Sequence, residues 1–402
     1  MSRIDLLCNI AMKQYAKSLK FVMDMIQSDR PLSYSDKATI LTTNFLFVLH
    51  CAQQNTLPES LLHLMNGFKL IQHWRFWEPP LDYNASLSSS SSSLQPAHSA
   101  LPNMPVLSCY IQTEEGMAND MPAASSWAWQ WEHAVFSVQK RPFISLSDAH
   151  LEIEMIWIGA RSLVKRMPLK PNQAEVNFLE EKRMGLCVYT QNWAMRLGAF
   201  QASHHISESD NARISILKVR KILLDVLLSV DVNQFEICWD AFQPQFERAI
   251  LLVEALLHKH EGDHTAKPEH VEPYSLLPIL TNSLHYICRV CRCPSLRRRA
   301  IALLKEQQRT ERIFGVLGGL VQITQSAEMM MHLEERAWVL GRNTQDDNLE
   351  CICLAGKYIC SNHRVFELNI DHSRRVFSIR TVGDIVQNRP AQTVALTDLF
   401  PT

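Results

Sequence analysis

Glycine is scarce in this chain: 12 of 402 residues. A doubly wound nucleotide-binding fold needs glycines at its phosphate turns, and neither GxGxxG nor GxxxxGK[ST] occurs. A dominant charge is also missing. Forty Lys and Arg stand against 41 Asp and Glu, a net charge of −1, so the basic surplus of a dedicated nucleic-acid-binding domain is not there. No uncharged apolar run reaches the ~20 residues that span a bilayer. The richest stretch, Ile214 to Val230, is interrupted by Lys218, Arg220, Lys221 and Asp225. The opening MSRIDLLCNIAMKQ lacks the charged, apolar, small-residue layout of a signal peptide. Eleven cysteines, an odd number, are scattered through apolar stretches, as Cys51 and Cys187 are. That pattern suits reduced, buried thiols better than a disulfide framework.

What remains is helical periodicity. Leu7, Ile10, Ala11, Tyr15, Leu19, Val22 and Ile26 recur every three to four residues, predicting a helix over Arg3 to Ser28. A second is expected to run from a Ser35 cap to about Gln54, and a third from Pro58 to about Trp74. Composition then shifts: Trp77 to Ser126 holds the serine run 88–93 and six prolines, reading as a linker or long surface loop. Helices are expected again at Leu146–Arg166, Asn172–Leu197, Asn211–Val230, Pro244–His258, Tyr274–Cys288 (kinked or broken at Pro278), Pro294–Gln307, Ile313–Gln322 and Ser326–Leu340. Near the end, VFELNI (Val365 to Ile370) and RVFSIRT (Arg375 to Thr381) alternate around Asp371, His372 and Ser373, a β-hairpin signal. The reading is a mainly α chain, an antiparallel helical array or bundle with a C-terminal β-hairpin. Its parts are residues 1–76, the 77–126 linker, the main helical region 127–362 and the hairpin with tail 363–402.

Candidate chemistry is thin. HEGDH, His260 to His264, fits HExxH, in which two histidines one turn apart hold zinc and the glutamate activates water. Gly262 and Pro268 place it at a helix end, without the continuing helix and edge strand a zinc protease needs, so a polar helix terminus is the preferred reading. His258 and His270 extend it into a His-rich stretch of low metal specificity. Cys288, Cys291 and Cys293 contain one CxxC with no second pair at zinc-finger spacing. Cys351, Cys353, Cys360 and His363 offer four ligand types, but irregular spacing and apolar neighbours favour buried thiols. Arg297, Arg298 and Arg299 flank or oppose the apolar stripe Leu296, Ala300, Leu303 and Leu304, reading as a solvated face with snorkelling stems. Trp127, Trp129 and Trp131 suggest local packing after the linker. No catalytic residue, metal ligand or cofactor is assigned.

Two stretches carry a likeness. NIAMKQYAKSLKFVMDMI with the following helix pair supplies Gln14, Tyr15 and Lys17, then His63, Leu64, Asn66 and Gly67. CRCPSLRRRAIALL supplies Cys291, Arg292, Pro294, Arg298, Ala300, Ile301, Leu303 and Leu304. Together they resemble the regulatory region of fungal Zn(II)2Cys6 transcription factors. The likeness implies a structural role for Cys291, Arg292, Pro294 and Arg298 and a nuclear setting, with the cytoplasm as the alternative. It also implies control of metabolic or secondary-metabolite genes, and as partners other transcription proteins, a homo- or heterodimer mate, or a small-molecule effector. The family's six-cysteine zinc cluster has no counterpart here: Cys8 is the one cysteine before Cys51. Direct DNA binding is therefore not expected, nor is a membrane partner. The competing readings are a HEGDH metallohydrolase and a helical small-molecule binder unrelated to transcription.

Overall fold

A computed structural model describes residues 3–27, 30–53, 56–76, 142–166, 172–230, 232–261, 277–310, 319–336, 353, 358–371 and 376–395. The 77–126 linker and Trp127, Trp129 and Trp131 lie outside these residues. The described chain is mainly α, with a small antiparallel sheet near its C-terminus. Its helices are α1 (Arg3–Ile26), α2 (Tyr34–Gln53), α3 (Leu57–His73), α4 (Leu146–Arg166), α5 (Gln173–Ser203) and α6 (Glu208–Ser229). A long 3-10 helix, Val232–Phe242, follows. Then come α7 (Gln243–Glu261), α8 (Leu277–Val290), α9 (Pro294–Thr310) and α10 (Gly319–Arg336). A 3-10 turn, Ser361–His363, leads into β1 (Val365–Asp371) and β2 (Val376–Thr381), then the short α11 (Val382–Val386) and β3 (Gln392–Ala395).

Reciprocal side-chain caps start several helices. Asn172 with Glu175, Ser207 with Asp210 and Thr381 with Asp384 form capping boxes, each satisfying two amide donors that the first helical turn leaves over. Ser33 and Asp36 do the same for α2, and Ser145 and Asp148 for α4. The α2 cap is thus Ser33 and not Ser35, because only Ser33 has an acidic residue three positions on. Among the described residues α8 begins at Leu277, one residue before Pro278, a position where the missing N–H costs nothing; the expected start at Tyr274 lies outside the described residues. The expected break between Gln322 and Ser326 is absent. α10 runs through, and its inner face includes polar Thr324 beside Ala327 and Met331, which hid the periodicity.

Helix α4 is the central element. From Ala149 to Ile158 every residue is buried, the condition of a helix surrounded on all sides. α5 and α6 pack against it, and Trp193 on α5 donates its Nε1–H to the Ala149 carbonyl at 2.7 Å. Buried residues of α2 and α3 (Leu41, Val48, Leu64, Phe68 and Ile71) belong to the same continuous core as those of α4 to α10. The three strands form a meander in the order β1-β2-β3, with Leu368 opposite Ile379 and Phe377 opposite Val394. Val365, Leu368 and Ile379 pack on Met329, Met330 and Leu333 of α10. The hairpin is as expected. The third strand, four residues long, is too short to show alternation.

Within α4, His150 is buried in neutral form. Desolvation first, then the charges of Arg220 and Arg213, push its pKa down from 6.5 to about 3. The unfolded chain takes up a proton that the folded chain refuses. The stabilising difference is complete above 6.5 and is lost as pH falls towards the folded value, at about 1.4 kcal/mol per pH unit. Substituting His150→Phe should flatten the acid limb by one proton. Unfolding free energies of both chains at several pH values below neutrality check this; equal slopes would contradict a buried neutral imidazole.

Candidate functional site

The CRCPSLRRR run begins in the loop between α8 and α9 and continues into α9, and its buried arginines reach α10, the 3-10 helix and the start of β1. Arg292 is 4 % exposed and Arg297 0 %, so the expectation of a solvated basic face fails at Arg297. The cause is Glu334, 1 % exposed on the inner face of α10. Its Oε1 accepts from Arg292 Nε at 3.1 Å, from Nη2 at 2.9 Å and from the Val365 amide at 2.9 Å. Its Oε2 lies 2.7 Å from Arg297 Nη1. Arg292 also meets Glu236 of the 3-10 helix at 2.9 Å and donates to the Val290 carbonyl at 2.9 Å. Arg297 Nε donates to the Cys288 carbonyl at 2.8 Å.

Burial alone would raise the Glu334 pKa; the charges of Arg292 and Arg297 more than offset it and hold the carboxyl below its ordinary value. Desolvation dominates at Glu236 and raises its pKa against the pull of Arg292. Pro294 opens α9, and Cys291 is buried with its amide bonded to the Ile287 carbonyl at 2.8 Å. Arg298 is on the surface, paired with Glu335. Arg299 is partly buried and bonds Glu254 of α7 at 2.7 Å. The family likeness points to Arg298; the residue that enters the core is its neighbour Arg297.

Arg364, 0 % exposed, extends the junction. It pairs with Asp240 at 2.9 and 2.5 Å and donates to the carbonyls of Glu236 at 2.8 Å and Ile359 at 3.0 Å. The two networks share the 3-10 helix, through Glu236 and Asp240. Glu334, Glu236, Asp240 and Arg364 were not singled out from sequence. One signal for Glu334 existed: it lies three and seven residues after Met331 and Ala327, on the buried stripe of α10.

Directly before Arg364 the 3-10 turn gathers sulfur and nitrogen. Cys353 Sγ and Cys360 Sγ each lie 3.2 Å from His363 Nδ1, and the three atoms are all within 4.8 Å of one another. Among the described residues this is the one group of three or more His, Cys, Asp or Glu able to hold a metal ion. Cys351, the fourth member of the sequence set, lies outside the described residues. Desolvation pushes the Cys360 thiol up, but hydrogen bonds from His363 and Cys353 outweigh it and bring its pKa down to about 6. In contrast, burial pushes Cys288 up to about 12 and Cys291 to about 11, the behaviour of inert core thiols. Of HEGDH, His260 and Glu261 fall at the end of α7, and Gly262 to His264 lie outside the described residues.

No helix among the described residues is long and apolar enough to cross a membrane. No protein-family model matches the chain, and comparison with the curated proteins and with the solved structures finds no similar protein. Fold and geometry therefore define a mainly α protein whose best-built feature is a buried ionic junction, and the functional reading rests on these residues alone.

Proposed function

We propose that this chain is a transcription regulator-like protein of the fungal zinc-cluster kind. It acts in the nucleus through contacts with other transcription proteins or a small-molecule effector, and it is not an enzyme. Its targets on this reading are metabolic or secondary-metabolite genes. The supporting observation is the segment Cys291 to Leu304. Six of the eight residues in it that resemble the family pattern do structural work: Cys291, Arg292, Ala300, Ile301, Leu303 and Leu304 are buried, while Arg298 is on the surface. Most of the likeness in this segment therefore lies in residues that hold a helical scaffold together, as a regulatory region requires.

A contact surface also fits. α5 exposes Met184, Val188 and Met195 at 60, 53 and 66 %. Spacings of four and seven residues place them on one stripe of the helix. Fused to a foreign DNA-binding domain, the chain should change reporter transcription several-fold in one direction. The combined substitutions Met184→Lys, Val188→Lys and Met195→Lys should reduce that change while leaving the thermal unfolding midpoint nearly unaltered, because exposed substitutions cost only about 0.5 kcal/mol or less each. A fusion present in the nucleus that leaves the reporter unchanged would sink the proposal.

A further inference from the structure

We propose that Cys353, Cys360 and His363 bind a thiophilic divalent cation of the zinc type, and that this ion fastens the C-terminal sheet to the helical body. The distances are close to those an ion needs. Tetrahedral zinc, with bonds of about 2.3 Å to sulfur and about 2.1 Å to nitrogen, holds S and N about 3.6 Å apart and two sulfurs about 3.8 Å apart. The two S–N separations are 3.2 Å, so an ion enters after an opening of only about 0.4 Å. Thiolate and imidazole together select soft or borderline metals over magnesium and calcium. Two thiolates also neutralise a divalent ion, so the loaded site carries no net charge into its half-buried surroundings. Any protons the ligands still carry pass to solvent as the ion binds, and no electron is transferred.

The backbone holds the ligands in place. Cys360 caps the 3-10 turn on which His363 is the last residue, so the pair has the C-x2-H spacing of a tight metal turn. The His363 amide donates to the Cys360 carbonyl at 3.1 Å. The Cys360 amide donates to Cys353 Sγ at 3.2 Å, the kind of outer hydrogen bond that orients a metal-bound thiolate. α11 presses on the turn from the other side: a Cβ on Gly383 would sit 2.9 Å from the Asn362 carbonyl oxygen. The ligand His363 is followed at once by Arg364, bound to Asp240, and then by Val365, whose amide is held by Glu334. Whatever fixes His363 therefore fixes the point where β1 leaves the helical body. Three protein ligands leave a fourth position for water or an added ligand.

The test uses the full chain, purified without a His tag and kept reduced. Titration with cobalt(II) should give one equivalent per chain, with tetrahedral d–d bands and thiolate-to-cobalt charge transfer, both displaced by zinc. Cys353→Ser, Cys360→Ser and His363→Ala should each weaken zinc by more than about 100-fold, beyond the loss typical of an outer-shell partner. Cys293→Ser should leave binding intact. Zinc should also slow proteolysis within the C-terminal sheet. X-ray absorption of the native zinc-loaded chain, reading two sulfurs and one imidazole, needs no variant to fold. The proposal is overturned by substoichiometric metal, by a Cys353–Cys360 disulfide that persists under reduction, or by metal lost on His260→Ala while retained in the cysteine variants.

Discussion

Replacing Glu334 with leucine should destabilise the chain by about 3–5 kcal/mol. Chemical denaturation followed by fluorescence would show this as a lower midpoint. The size follows from what the substitution leaves behind. Arg292 and Arg297 are 4 and 0 % exposed, so neither guanidinium can turn to water when its carboxylate goes. Glu236 partly compensates Arg292, at 2.9 Å, but among the described residues Arg297 has nothing comparable beyond the Cys288 carbonyl at 2.8 Å. The Val365 amide loses its acceptor as well, which adds the desolvation cost of a buried donor. Arg298→Met is the contrast. That side chain is 50 % exposed and its partner is Glu335, so the loss should stay within about 1 kcal/mol. Equal effects at Glu334 and Arg298 would mean that the buried junction is not what holds α9, α10 and β1 together.

The same residue has a pH signature. The folded Glu334 pKa lies below its ordinary 4.5. Its contribution is therefore complete above that value and is lost as pH falls through the lower, folded one. In the Glu334→Gln chain this part of the acid limb should vanish, whereas the His150 contribution, which starts at higher pH, should persist.

Helix positions were legible because apolar residues repeat every three to four positions; the caps, which pair a Ser, Thr or Asn with an acid three residues on, were read less well, Ser35 standing in for Ser33. Leu146–Arg166 is read from the sequence to the residue. The hairpin was legible from its alternation. Reading fails where a charged residue sits on a buried face, because periodicity treats Arg and Glu as solvent-facing. Arg297, Glu334 and Arg364 are all of this kind, and each becomes visible only when the partner from another element is in place. Glu334 lies 37 and 42 residues from its arginines. The Cys–Cys–His cluster is a different case. Its residues are named from sequence, but their convergence depends on one 3-10 turn, and three residues carry no periodicity that announces a turn. Gln322 to Ser326 shows the opposite error, an apparent break outweighed by packing.

The second large effect is expected at the centre of the helical body, and it tests whether a buried ion pair stabilises the fold or merely survives in it. Glu152 and Glu154 on α4 are two residues apart, about 200° around the helix, so they face nearly opposite ways. Glu152 takes Arg196 of α5 at 2.7 and 2.8 Å, and Glu154 takes Arg220 of α6 at 2.6 and 2.7 Å. One buried helix thus engages a neighbour on each side. The Arg196 pair keeps some solvent, with 15 % of the arginine side chain exposed; the Arg220 pair has 0 and 2 %. Arg220 also stacks over Trp157, its guanidinium 4.3 Å from the ring centroid. Arg220→Met alone deprives Glu154 of its guanidinium in a dry site and should cost about 3–5 kcal/mol. The double substitution Glu154→Leu with Arg220→Met removes both charges, keeps similar volume and leaves a sulfur over the Trp157 ring, a favourable contact in its own right. It should return to within about 2 kcal/mol of the native chain, because the desolvation penalty of both ions disappears with their attraction. A double variant as unstable as the single one would show that the pair contributes net stability. A recovered double variant would place its value in specificity, since a carboxylate on α4 that must meet an arginine on α6 disfavours any packing that slides one helix past the other.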